Sequence, residues 1–304
     1  MPLRATSEGR ETVLLGLVGC GIAKSRTPEM HMAEAEAHGL RAVYRLIDVD
    51  VRQPNAPSLE AILQAAELTG FDGLNITYPF KVDILPLLDD VSPNAAAVGA
   101  VNTVVLRNGR RIGHNTDLWG FSESFRRGMA DTARDHVLLI GAGGAGGAVA
   151  HALADCGVKR LSIFDADERR SAALAEQLGR NRPDVIAEAS PSIEETFAEG
   201  LDGIVNATPI GMVATPGSVV PAALFDPAVW FADIVYFPLE TELLATARAR
   251  GCRVLPGSGM AVFQAVRAFE LFTGRRADPN RMTATFDAFE QQTRQQQTRQ
   301  VAET

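Results

Sequence analysis

Two residues in the first half of the chain have the types and settings that proton transfer requires, Lys81 and Asp117. Lys81 closes the segment NITYPFK, with Pro79 and Phe80 beside it, and Asp117 closes GHNTD. An amine set partly out of water gives up its proton more readily, and a nearby carboxylate fixes its orientation. Such a pair can take a hydroxyl proton while hydride leaves the same carbon, and return it in the reverse direction. Each residue also has an ordinary reading. Lysine is most often a solvated surface residue, and Asp117 suits the N-cap of a helix over LWGFSESF. Their spacing alone does not choose.

Two more polar clusters accompany them, KSRTP at 24–28 and GAVNT at 99–103, so that four such segments follow or adjoin expected strands. In an α/β domain the loops beyond the strand ends line the ligand crevice. These loops offer many short hydrogen-bonding groups and few charges, which suits a small polyol.

A second chemistry-bearing pattern lies in VLLIGAGGAGGAVAHAL, where Gly141, Gly143 and Gly146 satisfy G-x-G-x-x-G between an apolar strand and an alanine-rich helix. The first glycine allows the tight turn, the second lets backbone approach a pyrophosphate, and the third lets helix and strand pack closely. The whole turn, Gly141, Ala142, Gly143, Gly144, Ala145 and Gly146, is therefore expected to bind a dinucleotide, with the diphosphate on the helix N-terminus. Asp165 ends the next strand, nineteen residues after Gly146, close to the roughly twenty expected of a ribose-binding acid. A carboxylate there accepts from ribose hydroxyls and repels a 2′-phosphate, and Ala166 supplies no guanidinium to hold one. NAD is thus favoured over NADP. The competing readings are that Asp165 caps the helix starting near Asp167, and that Arg169 or Arg170 swings toward a phosphate.

These residues need a scaffold, and the periodicity supplies one. Apolar runs at Val13 to Val18, Val43 to Ile47 and Phe71 to Ile76 alternate with helical patterns at Glu29 to His38 and Leu59 to Leu68, which reads as βαβ units on a parallel sheet. From Val137 a second series opens with strand, glycine turn, the helix Ala145 to Cys156, a strand to Asp165 and the helix Glu168 to Leu178. Strands are expected at Gly203 to Asn206, Trp230 to Val235 and Arg253 to Leu255, then helices Gly259 to Phe272 and Pro279 to Gln291. The fold class is α/β, and 304 residues favour two domains.

Composition narrows the function further. A formal charge of −8 without a block of like charge disfavours a nucleic-acid partner. Cys20, Cys156 and Cys252 are three and widely separated, supporting neither a disulfide framework nor a metal cluster, so no metal is expected and a reducing cytoplasm fits. No apolar run has the length of a signal peptide or a membrane span. The segment Gln291 to Thr304 is expected to fray.

Taken together, GCGIAKSRTPEMH, GLNITYPFK, AVGAVNTVV, GHNTDLWGF, the glycine turn, NATPIGM, DIVYFPLETELLATARARG and GMAVFQA resemble the shikimate dehydrogenase family from about Gly16 to Phe272. The resemblance implies a substrate domain at 1–119 completed by the C-terminal helices of 258–304, and a Rossmann domain at 120–257. It makes Lys81 and Asp117 the catalytic pair and assigns Ser25 and Thr27 to a substrate carboxylate. Thr77, Asn102 and Gln264 are to hold ring hydroxyls, with Tyr236 nearby, while Asn206, Thr208, Gly257 and Met260 line the coenzyme path. Against these stand plain alternatives: NATP as a strand-end turn, Met260 as helix packing and Gln264 as a surface amide. KSRTPEMH, with Thr27 where the biosynthetic enzymes usually carry serine, resembles the NAD-dependent quinate/shikimate branch, whose substrates are quinate and shikimate. The alternatives are an NADP-dependent biosynthetic enzyme and a non-catalytic quinate- or shikimate-sensing regulator. The sequence leaves homodimerisation open.

Overall fold

A computed structural model describes residues 4–5 and 11–288. The segment expected to fray, and the last residues of the expected final helix, lie outside the described residues. The chain divides into two compact units, one comprising residues up to Ala96, Ala100–Thr116 and the chain from Ala265, the other Ala97–Gly99 and Asp117–Gln264.

The first unit is built on a mixed sheet of β1 (Arg4–Ala5), β2 (Glu11–Gly19), β3 (Arg41–Asp48), β4 (Gly73–Ile76), β5 (Asp90–Val91), β6 (Thr103–Arg107) and β7 (Arg110–His114). β3 and β4 flank β2 in parallel, as the βαβ reading requires. α1 (Thr27–Ala37) and α2 (Leu59–Thr69) are their crossover helices. α2 shows how local sequence sets an element. Ser58 caps it by accepting from the Ala61 N–H at 3.1 Å, Gly70 ends it in a left-handed turn, and Leu59, Ile62, Leu63 and Ala66 form its buried stripe. That stripe packs with Val18, Leu74, Ile76 and Ile84 into one apolar core.

The sheet departs from a purely parallel one at β1, antiparallel to β2, at β6, which runs antiparallel to β4, and at β7, antiparallel to β6. The β6–β7 reversal is made by Asn108-Gly109, whose two positive φ angles of 55° and 70° are those of a two-residue hairpin turn matching the strand twist. After α3 (Pro93–Val98) and this hairpin, the chain enters α4 (Thr116–Gly128). Within the same unit, a helix over 279–288 docks on α1 through Glu34. This fully buried carboxylate accepts from Arg281 Nη1 at 2.9 Å and the Asp278 N–H at 2.9 Å, and lies 3.1 Å from His38 Nε2.

The second unit holds six parallel strands in the order β10 (Ile186–Ala189), β9 (Arg160–Phe164), β8 (His136–Ile140), β11 (Gly203–Asn206), β12 (Trp230–Asp233) and β13 (Val254–Leu255). α5 (Gly144–Asp155), α6 (Glu168–Asn181), α7 (Ile193–Ala198) and α8 (Glu242–Ala249) connect them, and α9 (Ser258–Thr273) follows. β8 buries Val137, Leu138, Leu139 and Ile140, and β11 buries Ile204 and Val205 at its centre, the apolar runs of strands covered on two faces. The strand order reverses between β8 and β11, which is where an open α/β sheet leaves a crevice at its carboxyl edge.

Candidate active site

In the first unit, strand pairing alone gathers the polar loops. β2 and β4 run parallel and end together, Val18 opposite Ile76. The start of β6 and the end of β7 reach the same edge, Thr103 lying opposite both Asn75 and His114. Residues 20–27, 77–81, 99–102 and 115–116 therefore all leave one side of the sheet. Ser25 Oγ donates to Thr27 Oγ1 at 3.2 Å and accepts the Thr27 N–H at 3.4 Å. This brings the two expected carboxylate ligands together at the start of α1. Thr77 directly follows β4, and Lys81 lies half-buried in the next turn, its carbonyl accepting the Val101 N–H at 2.8 Å.

Asn102 is buried and held by its neighbours. Its Oδ1 accepts the Thr116 N–H at 2.7 Å and the Thr103 hydroxyl at 3.1 Å, and its Nδ2 donates to Thr116 Oγ1 at 3.0 Å. Asn115 Nδ2 donates to the Ala100 carbonyl at 3.0 Å. The AVNT and HNTD segments are thereby locked to each other. Thr116 and Asn115 carry this lock, and sequence reasoning passed over both; their repeat of Asn-Thr in AVNT and HNTD was the available signal. Asp117 follows immediately, buried in the first turn of α4, and helical backbone already begins at Thr116. It therefore sits inside the helix, not at the N-cap.

In the second unit the glycine turn fits a dinucleotide. Gly141 has φ +106° with its N–H on the Phe164 carbonyl at 2.7 Å, and a Cβ there would stand 2.9 Å from the Ala207 backbone. A Cβ on Gly146 would meet the Gly141 carbonyl oxygen at 2.0 Å, so only glycine lets helix and strand approach this closely. At Gly143 and Gly144 a Cβ would meet nothing within 4 Å, so these positions face open space. No side chain caps α5, whose first turn carries no acidic residue, and Ala145 is in that turn. Backbone N–H groups and the helix dipole thus remain for an anion.

Asp165 follows the end of β9. Its Oδ2 accepts the Ala142 N–H at 2.7 Å and its Oδ1 the Asp167 N–H at 2.9 Å, which ties it to the glycine turn while each oxygen keeps lone pairs for further donors. The helix cap is a different residue: Asp167 accepts the Arg169 N–H. Asp167 also binds the Arg169 guanidinium through both oxygens, at 3.0 and 3.1 Å, and Arg170 Nε stands 3.9 Å from it. The Arg169 side chain beside it holds the Asp167 carboxyl below the usual range. Ala166 is exposed.

Asn206 and Thr208 occupy the end of β11. Asn206 Oδ1 accepts both the N–H and the hydroxyl of Thr208, at 3.0 and 2.7 Å. Gly257 comes within 2.6 Å of the Val235 carbonyl oxygen by its virtual Cβ, drawing the chain after β13 onto the segment that carries Tyr236. Tyr236 is 40% exposed, Met260 is buried in α9, and Gln264 Nε2 donates to the Ala261 carbonyl at 3.1 Å. Asp233, which sequence reasoning did not single out, is the one acidic residue of the buried strand β12, in WFADIV. Burial pushes its carboxyl up to about 6, and bonds from Thr241, Val235 and Asn206 pull only partly the other way.

A parallel doubly wound sheet, a helix without a side-chain cap after G-x-G-x-x-G and an acid closing the neighbouring strand define a dinucleotide-binding domain. Family models match along the chain: the shikimate dehydrogenase substrate binding domain over residues 17–104, the ThiF family over 116–207 and the shikimate 5'-dehydrogenase C-terminal domain over 257–285. A shikimate dehydrogenase (NADP(+)) of Streptomyces avermitilis is 51% identical, over 90% of this chain and 95% of its own length. A quinate/shikimate dehydrogenase (NAD(+)) of Corynebacterium efficiens is 48% identical over 91% of this chain and 98% of its own. The solved quinate dehydrogenase from Corynebacterium glutamicum in complex with NAD superposes with a TM-score of 0.85 at 46% identity, covering 91% of this chain and 99% of that one. The chain belongs to the shikimate dehydrogenase family and is an oxidoreductase of that family.

Proposed function

We propose that the chain is an NAD-dependent dehydrogenase that oxidises quinate and shikimate at a ring hydroxyl, with Lys81 and Asp117 as the acid–base pair. The observation that carries the coenzyme choice is Asp165, an acceptor-only carboxylate pinned to the glycine turn, beside an exposed Ala166 and an Arg169 already engaged by Asp167. A ribose 2′-hydroxyl can donate to that carboxylate, whereas a 2′-phosphate meets like charge, with the Arg169 guanidinium already on Asp167. The Streptomyces avermitilis relative supports NADP as the competing coenzyme, and the quinate/shikimate dehydrogenase of Corynebacterium efficiens supports NAD.

Bound nicotinamide supplies a hydride acceptor. The chain's own groups do the remaining work: Ser25 and Thr27 hold the substrate carboxylate, and Thr77, Asn102 and Gln264 its hydroxyls, with Tyr236 nearby. The Lys81 amine takes the hydroxyl proton as the C–H bond breaks, and Asp117 orients that amine and balances the ammonium it becomes. Lys81→Ala is expected to lower kcat by about 10³-fold while NADH binding, followed by fluorescence titration, stays at the wild-type value. Normal turnover by that variant would rule out the mechanism.

A further inference from the structure

Asp233 is 2% exposed, and Asn206, Val235 and Thr241, which hydrogen-bond to it, lie at the carboxyl edge of the nucleotide-binding sheet. It ends β12 in register with Asn206 at the end of β11. Its Oδ1 accepts from Asn206 Nδ2 at 3.0 Å and from the Val235 N–H at 2.9 Å, and its Oδ2 accepts from the Thr241 hydroxyl at 2.7 Å. Thr241 in turn caps α8.

The chemical consequence concerns direction. The side chain of Asn206 has one accepting and one donating end, and its two orientations occupy the same volume. An acceptor at Oδ1 of Asp233, together with the Ile210 carbonyl at 2.9 Å, fixes the donating end toward the strand. The accepting end then faces Thr208 and takes both its N–H and its hydroxyl proton. With its proton committed, Thr208 Oγ1 presents lone pairs, one of which takes the Ile210 N–H at 3.1 Å. The same carboxylate, through Val235 and Thr241, holds both ends of the segment that contains Tyr236.

We propose that Asp233 is the positioning residue of the coenzyme site: its carboxylate sets the polarity of the Asn206–Thr208 turn and clamps the Tyr236 segment beside it. This rests on the reading of Asn206 and Thr208 as coenzyme-lining residues. It predicts a division between two substitutions. In Asp233→Asn the amide oxygen replaces Oδ1 and keeps the Asn206 and Val235 bonds, while its NH2 donates to Thr241 Oγ1. In Asp233→Ala all three bonds are lost, and the donating end of Asn206 is left with the Ile210 carbonyl as its acceptor.

The test is NADH affinity by fluorescence titration, together with kcat and KM. Asp233→Ala should weaken NADH binding and raise the coenzyme KM about tenfold, the scale of one or two lost buried hydrogen bonds, with kcat of the folded protein within about threefold. Asp233→Asn should stay within about threefold of wild type in affinity. If Asp233→Ala does not fold, Thr241→Val removes the Oδ2 bond together with the side-chain cap of α8, leaves both Oδ1 bonds, and should weaken NADH binding about threefold. Wild-type affinity in the folded alanine variant, or in Thr241→Val where that replaces it, would overturn the proposal, as would an asparagine variant as weak as alanine. A wild-type protein that binds NADPH in place of NADH overturns only the coenzyme reading, and the same variants are then compared with NADPH.

Discussion

The two units build their sites from different materials. In the nucleotide-binding unit the proposed diphosphate site is backbone: N–H groups at the start of α5 and the space left by missing side chains at Gly143 and Gly144. In the other unit the proposed ligand groups are side chains, Ser25, Thr27, Thr77, Lys81 and Asn102, delivered by separate loops to one sheet edge. A backbone site is compressed into a few adjacent residues with fixed spacing. A side-chain site is scattered along a hundred residues and exists only once the strands have paired. The first therefore tolerates few substitutions at few positions, and the second spreads its sensitivity over many.

The sharpest test of the nucleotide-binding side is to convert Asp165, the acid proposed to read the ribose. Asp165→Asn combined with Ala166→Arg removes the repelling charge and adds a phosphate partner, and should move the ratio of kcat/KM for NADP over NAD upward by about 100-fold. An unchanged ratio would show that the coenzyme is chosen elsewhere. Next in size is the contrast between two glycines of one turn. Gly146→Ala drives a Cβ to 2.0 Å from a backbone oxygen and should cost about 2–3 kcal/mol of stability, seen in denaturant melts. Gly143→Ala meets nothing in the protein, so stability should hold within about 0.5 kcal/mol while NADH affinity falls roughly tenfold. Equal behaviour of the two would erase the distinction between packing and ligand approach.

The units also respond to acid with opposite signs. His31 on α1 is fully buried among Tyr44, Phe269 and Phe272, neither ring nitrogen has a hydrogen-bond partner, and burial lowers its pKa to about 3. The unfolded chain takes up that proton near pH 6.5, so the stability is present above this value and is lost as pH falls toward 3. Between pH 6.5 and 5 the loss is about 2 kcal/mol. Asp233, raised to about 6, works the other way: its contribution is full below about 3.8 and lost as pH rises through 6, so acidification from pH 6 to 5 returns about 1 kcal/mol. His31→Phe should flatten the acid decline of the folding free energy, and Asp233→Asn should steepen it. Parallel pH profiles for wild type and both variants would contradict this assignment.

Much of the nucleotide-binding site was legible in the sequence because its rules are local: Gly141, Gly143 and Gly146 have fixed spacing, and Asp165 stands a set distance beyond them. The scaffold of the substrate side was only partly legible. The parallel strands β2, β3 and β4 show as apolar runs, but the antiparallel hairpin of β6 and β7, which brings Asn102 and Thr116 together, was signalled only by Asn108-Gly109. Neither the buried lock of Asn102 with Thr116 nor the Asp233 hub has a spacing signature, since each depends on which strands become neighbours in space. Asp233 in particular reads as one polar residue ending an apolar strand until β11 is placed beside β12.

The most direct test of an NAD-dependent quinate/shikimate dehydrogenase is the initial-rate matrix of the wild-type protein with quinate and shikimate against NAD and NADP. NAD should give a kcat/KM at least about tenfold above NADP with whichever acid is oxidised faster, the discrimination expected of one unfavourable charge contact. Equal or faster oxidation with NADP would contradict the role given to Asp165.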